Sequence, residues 1–234
     1  MFCLSAMAAP AQLANQGYEA GLEGWVSSGD VTTPLQVVAS SSMGGWVITP
    51  PQTEMAVLPS NSTGLQELDT FFGLNAGTID AALAGDVNSG AAIKQSFTGL
   101  AGDTLTQYWN FASLGDTSDT SFNDSAFVIF NGEATVLASV ENGGIEVGSH
   151  GHTGWQSFSY TLPADGTYTL GFGVVSMQDT VSYSMLFLDD QPGGDWTLPG
   201  MPPIPEPEIY AMLLVGLALI GVMTKRKSLS ATAV

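Results

Sequence analysis

Side chains alternate by two along much of the chain. From Trp155 to Leu162, Phe158, Tyr160 and Leu162 fall on one face, and Ser157, Ser159 and Thr161 on the other. From Thr167 to Val175, Tyr168, Leu170, Phe172 and Val174 oppose Thr169, Gly171 and Gly173. Successive residues of a strand point to opposite faces, so a period of two marks β-structure and scatters the apolar set around any helix. Pro163-Ala164-Asp165-Gly166 between the two runs predicts a hairpin turn. Leu105, Gln107, Trp109 and Phe111 alternate with Thr104, Thr106, Tyr108 and Asn110. Ala126 to Phe130 is apolar on both faces, as a central strand is, and Asn131-Gly132 follows it, a strong two-residue hairpin signal. Ser182 to Leu188 predicts a last strand, ending in Asp189-Asp190. Helical periodicity is not convincing anywhere in residues 15–190, and residues 30–90 are too irregular to place strands. Short strands joined by antiparallel turns predict a β-sandwich over residues 15–190.

The chain has 234 residues, enough for one such domain plus terminal segments. It carries 22 Asp and Glu against 4 Lys and Arg, and in residues 1–200 Lys94 is the one cationic side chain beside 20 acids. Such a surface repels phosphate backbones, which excludes nucleic acid as a partner, and it attracts cations. Cys3 is the single cysteine and lies in a segment expected to be lost on export, leaving a mature chain without a thiol or disulfide.

The two ends read differently from the middle. Residues 1–11 look like the last part of a truncated signal peptide: an apolar stub with two small-x-small sites, Ala6-Met7-Ala8 and Ala9-Pro10-Ala11, and no basic start. Residues 191–204 form a Pro/Gly-rich linker, which favours an extended spacer over helix or sheet. Pro205-Glu206-Pro207 follows, then an apolar run predicting a membrane helix over 209–224, then Lys225-Arg226-Lys227. Sixteen helical residues span roughly 24 Å, short of a hydrocarbon core of about 30 Å. The basic cluster acts as the membrane stop and sets orientation: Lys and Arg stay cytoplasmic, with residues 1–205 outside and 228–234 as a short cytoplasmic tail.

Pro-Glu-Pro, a short apolar helix and a basic cluster, in that order near the C-terminus, resemble the PEP-CTERM sorting domain of exosortase substrates. The seven residues after the cluster depart from the usual shorter ending. The resemblance implies export, an inner-membrane-anchored precursor, and cleavage near Pro205-Glu206-Pro207 by exosortase, an intramembrane cysteine transpeptidase. It implies a final place at the cell surface or outside the cell, in company with exopolysaccharide and biofilm. Pro205 and Pro207 suit this handling, because they keep the backbone extended and open to a protease.

A second resemblance lies at the edges of the sandwich. Asn15-Gln16-Gly17-Tyr18-Glu19-Ala20-Gly21, with Gly24-Trp25 after it, is similar to the opening strand of jelly-roll modules of the galactose-binding and carbohydrate-binding type. Gln16 stands where that motif has glycine. Leu186-Phe187-Leu188-Asp189-Asp190 resembles their closing strand. The interior segments Asn123–Val128 and Thr153–Phe158 resemble PEP-CTERM passengers of this kind. The resemblance implies a jelly-roll-like antiparallel β-sandwich whose first and last strands are neighbours, with Glu19 and Asp189 meeting at a structural Ca²⁺. Hard oxygen ligands suit that ion; the plain alternative is two surface acids in a chain full of them.

Other chemistry is thinner. Asp116 to Asp124 is a dense acidic loop without the Gly and Glu spacing of an EF-hand, so it reads as a solvated loop that can attract a cation. His150-Gly151-His152 lacks the third ligand of a zinc site. Trp25, and Trp46 in Met43-Gly44-Gly45-Trp46, would suit sugar stacking if exposed and a core if buried. No Gly-x-Ser-x-Gly elbow, phosphate-binding loop or His-Glu-x-x-His is present. The expected product is a non-catalytic exported surface or matrix protein that associates with extracellular polysaccharide. A glycan-binding, lectin-like module is the first alternative. A glycan-processing enzyme, which would need two carboxyls about 5–9 Å apart in a cleft, is the second.

Overall fold

The computed structural model describes residues 13–34, 37–41, 44–48, 54–62, 68–113, 123–141, 143–148, 151–177 and 184–192. Residues 1–12, which include the segment read as a signal-peptide remnant, and residues 193–234 lie outside the described residues. Twelve strands and two short helices are named in chain order among them. They are β1 (Val26–Ser28), β2 (Val37–Ser41), β3 (Gly44–Ile48), β4 (Ala56–Pro59), α1 (Leu68–Phe72), α2 (Thr78–Leu83) and β5 (Val87–Gly99). They continue with β6 (Thr104–Ser113), β7 (Ser125–Phe130), β8 (Glu133–Ser139), β9 (Ile145–Glu146), β10 (Gln156–Thr161), β11 (Gly166–Met177) and β12 (Ser184–Asp189).

The strands form a jelly-roll-like β-sandwich. One sheet has the order β1-β5-β11-β7-β8-β9 and the other β10-β6-β12-β4, while β2 and β3 make a separate hairpin. Pairing is antiparallel except between β8 and β9. The inward faces are those the alternation predicts. Ile93 of β5, Leu170, Phe172 and Val174 of β11, and Ala126, Val128 and Phe130 of β7 share one core with Leu105, Trp109 and Phe111 of β6 and with Leu186 and Leu188 of β12. Each fully buried Phe or Leu of this set contributes about 1.5–3 kcal/mol. Asn131 and Gly132 turn between β7 and β8 with φ of 48° and 89°, the left-handed pair that an Asn-Gly hairpin needs.

Four expectations change. Pro163–Gly166 is not a hairpin: β10 pairs with β6 in one sheet and β11 with β5 and β7 in the other, so this turn carries the chain across the core. A matching corner at residues 100–103 braces it, with Gly102 N–H donating to Leu162 O (2.8 Å), Leu162 N–H to Asp103 O (2.8 Å) and Ala101 N–H to the Asp165 carboxylate (2.8 Å). Helix is present after all. The helices α1 and α2 cover the other face of the six-stranded sheet, where Phe71, Phe72, Ile79 and Leu83 pack on Ala92, Phe127, Ile129 and Val175. The small residues of β11 make this fit: a Cβ on Gly171 would lie 2.3 Å from Phe72, and one on Gly173 2.3 Å from Phe127. The segment 15–24 is a chain of turns rather than a strand, with Tyr18 N–H bonded to Asn15 O and Gly21 N–H to Tyr18 O. The first and last strands among the described residues are not neighbours: β1 pairs with β5, and β12 lies between β6 and β4.

Candidate functional site

The turns of residues 13–24 are held in place from both sheets. Asn15 donates to Gly21 O (2.8 Å) and accepts from Ala20 N–H (3.0 Å), closing the loop on itself. Gln95 of β5 accepts from Ala14 N–H (2.6 Å) and donates to Ala14 O (3.0 Å) and Gly24 O (2.9 Å). Gln16 donates to Thr106 O of β6. Asn15 and Tyr18 take left-handed φ values of 48° and 59°. This backbone turns Tyr18 fully inward, its ring centroid 5.4 Å from that of Trp25.

The closing end of β12 meets the same corner. Asp189, opposite Tyr108 of β6, is completely buried. Its Oδ1 accepts from Asp190 N–H (2.7 Å) and Gln191 N–H (3.4 Å), and its carbonyl accepts from Gln107 Nε2 (2.6 Å). The Gln107 amide nitrogen also lies 3.5 Å from Gln16 O. Four buried oxygens here have no hydrogen-bond partner: Asp189 Oδ2, Asp190 Oδ1, Gln107 Oε1 and the Tyr18 hydroxyl. Burial, and then the neighbouring Asp190 carboxyl, push Asp189 up to about 8. Burial, and then the charge of Asp189, push the Tyr18 hydroxyl well above its ordinary range. A buried polar atom without a partner costs about 1–3 kcal/mol. A corner lined by carboxylate, amide and phenol oxygens has the chemistry to receive a hard divalent cation.

The predicted site residues are distributed as follows. Glu19 is exposed, and its Oε1 lies 3.4 Å from Glu54 N. The carboxyl beside Asp189 is that of Asp190. Among the described residues, no three His, Cys, Asp or Glu side chains gather as a metal-binding group, so ligands beyond this pair would come from amide, phenol and backbone oxygens. His150 lies outside the described residues. His152 is exposed, bridges to Ala112, and accepts from Gly154 N–H through Nδ1 (3.1 Å). Partial burial lowers its pKa. Asp116 to Phe122 lie outside the described residues; Asp124 is buried and accepts from Ser60 Oγ (2.9 Å). Trp25 is buried and offers no open stacking face. Met43 and the side chain of Trp46 lie outside the described residues. Among the described residues, Tyr160 is the most exposed aromatic, at 37 %, its ring centroid 4.0 Å from that of Phe130.

Asp190, Gln107 and Tyr18 did not stand out as site residues in the sequence. The available signal was Gln107, a long polar side chain at an inward position of β6 among Leu105, Trp109 and Phe111.

Similarity to known proteins follows the two parts of the chain. The sandwich is similar to TmCBM61 in complex with β-1,4-galactotriose, at 16 % identity over 81 % of this chain and 98 % of that one, with a TM-score of 0.39. It is also similar to carbohydrate-binding modules from the β-sandwich super family, at 14 % identity over 81 % of this chain and 64 % of that one, with a TM-score of 0.31. The enzymatically active domain of bacteriophage CBA120 tailspike protein 4 matches at 11 % identity over 80 % of this chain and 21 % of that one, with a TM-score of 0.30. At the C-terminus, residues 203–227 match the PEP-CTERM protein-sorting motif. That match contains Pro205, Glu206 and Pro207 and reaches Lys225, Arg226 and Lys227, all outside the described residues. No curated protein sequence matches the chain. Among the described residues, no helix is long and apolar enough to cross a membrane.

Proposed function

We propose that this chain is an exported, non-catalytic β-sandwich protein whose fate is set by its C-terminal tail. The observation that carries the reading is the sorting motif at residues 203–227, placed directly after a Pro/Gly-rich linker. The apolar run 209–224 holds the precursor in the inner membrane, and Lys225, Arg226 and Lys227 stop it there. Exosortase cuts near Pro205-Glu206-Pro207, and the sandwich goes to the cell surface or the extracellular matrix. Extracellular polysaccharide is the partner in this reading, and the exposed ring of Tyr160 is the face available for a sugar to stack on.

The test uses the chain behind a complete signal peptide, with one epitope tag in the linker before Pro199 and another after Val234. It is expressed in a Gram-negative host with and without an exosortase. Loss of the C-terminal tag only when exosortase is present, blocked by Glu206→Ala, supports the reading. An intact tail with exosortase, or equal loss without it, overturns it.

A second reading rests on the partnerless buried oxygens at Asp189. We infer that this corner holds a structural divalent cation, for which Ca²⁺ is the expected ion because it accepts many oxygen ligands in a flexible geometry. The resemblance pairs Asp189 with Glu19 as its ligands. A ligand that binds only the folded state at 100 times its Kd adds about 2.7 kcal/mol. A rise of several degrees in Tm with millimolar Ca²⁺ over EGTA, lost in Asp189→Asn, supports the reading. An unchanged Tm across the Ca²⁺ series removes it.

A further inference from the structure

We propose that Asp190, together with the amide oxygen of Gln107, completes the cation site at Asp189, and that Glu19 does not contribute to it; this rests on the cation reading above. Three observations meet at Asp190. Its Oδ1 is buried and has no partner, the same condition as Asp189 Oδ2 and Gln107 Oε1. Its carboxyl packs against Gly17, where a Cβ would lie 3.0 Å from Cγ and 3.1 Å from each carboxylate oxygen. A side chain at position 17 would therefore displace it. The third observation is Gln107, held by donation to Asp189 O and completely buried, with its oxygen left over. Among the described residues the one Lys or Arg is Lys94. It is committed elsewhere, donating to Phe71 O with its ammonium 4.7 Å from the Phe71 ring centroid. Among the described residues, the oxygens at this corner therefore have no Lys or Arg of their own to meet. Glu19 faces outward from the same loop, toward the backbone of Glu54.

Tb³⁺ is the probe, because it takes oxygen ligands as Ca²⁺ does and emits when nearby aromatic rings transfer energy to it. Tyr18 lies within the corner, with the tilted ring of Trp25 beside it. The full chain, purified in detergent, is titrated with Tb³⁺ under aromatic excitation, and Ca²⁺ is used as competitor. Wild type is expected to give saturable emission that Ca²⁺ displaces. Asp190→Asn should raise the apparent Kd about tenfold or more, since affinity follows the charge of the ligand set, and Glu19→Gln should leave it within about twofold. Should Asp190→Asn fail to fold by circular dichroism, Gly17→Ala takes its place: it keeps the carboxylate, pushes it aside, and should weaken Tb³⁺ in the same way. Equal affinity in wild type and the position-190 or position-17 variant, or an equal loss in Glu19→Gln, overturns the assignment and leaves the cation reading standing. Absence of displaceable emission in wild type overturns the cation reading and the assignment with it.

Discussion

Gly17 makes room for Asp190. The carboxyl of Asp190 occupies the space a side chain at position 17 would need, with Cγ 3.0 Å from where a Cβ would stand. The turn-rich start of the domain and the closing end of β12 thus fit together through a missing side chain. Gly17→Ala should destabilise the protein by about 1–3 kcal/mol, the usual cost of overpacking. Adding Asp190→Ala should return part of that loss, since contacting residues are energetically coupled. Urea unfolding of the two single variants and the double variant measures this directly. Additive losses would show that the two positions do not press on each other.

A buried carboxylate joins the two helices. Asp69 of α1 accepts from Gly77 N–H (2.5 Å) and Ile79 N–H (3.0 Å) at the start of α2, which has no side-chain cap of its own. Helix starts leave N–H groups open, and negative charge is favoured there. Asp69→Ala should cost about 1–3 kcal/mol. It should also raise amide exchange at Ile79 well above that of Phe172 in the sandwich core. Equal exchange at both sites would show that the cap is not what holds α2.

The two glycines of β11 should tolerate nothing larger. Gly173→Ala sets a methyl 2.3 Å from the Phe127 ring. It should lower stability by about 1–3 kcal/mol through forced shifts in a packed core. Phe127→Leu in the same chain should recover part of that, because the shorter side chain vacates the space. Denaturant midpoints of the two variants decide it.

His152 supplies a pH signature away from the Asp189 corner. Its Nδ1 accepts from Gly154 N–H, a role open only to the unprotonated nitrogen, and partial burial holds its pKa below 6.5. Protonation is therefore favoured more in the unfolded chain than in the folded one. The stabilisation from this group is complete above the unfolded value near 6.5 and fades as pH falls through the folded value. An NMR titration of the ring should give a midpoint below 6.5 and a shift of the Gly154 amide with the same midpoint. A midpoint at or above 6.5 would remove the effect.

Much of the sandwich is legible in the sequence, and the limits have physical causes. Strands β6, β7, β10, β11 and β12 lie where alternation or a doubly apolar run marks them, because a strand's faces are written in its own residues. Pro163–Gly166 misled because a turn sequence specifies local dihedrals and not which sheet receives the next strand. The helices of residues 68–72 and 78–83 are too short to write a period of 3.6, and their apolar faces are legible only once Gly171 and Gly173 are seen to receive Phe72 and Phe127. At the candidate site, Asp189 was legible through its resemblance to a closing strand. Asp190 was not singled out, since two adjacent residues of an extended chain ordinarily face opposite ways. Gln107 became meaningful only when β12 was seen to lie beside β6.

The interleaving of the two sheets has a consequence for the proposed export. β12, the last strand among the described residues, lies inside its sheet with β6 on one side and β4 on the other. A chain emerging from its N-terminus therefore cannot finish the four-stranded sheet until residues 184–189 have crossed. The sorting motif begins at residue 203, shortly after them. On the proposed function, in which the tail anchors the precursor, the tail would hold back the finished passenger at the moment its core closes. Release would then depend on completed translocation, and a half-made sandwich, with β4 and β6 still lacking the strand between them, would not be set free.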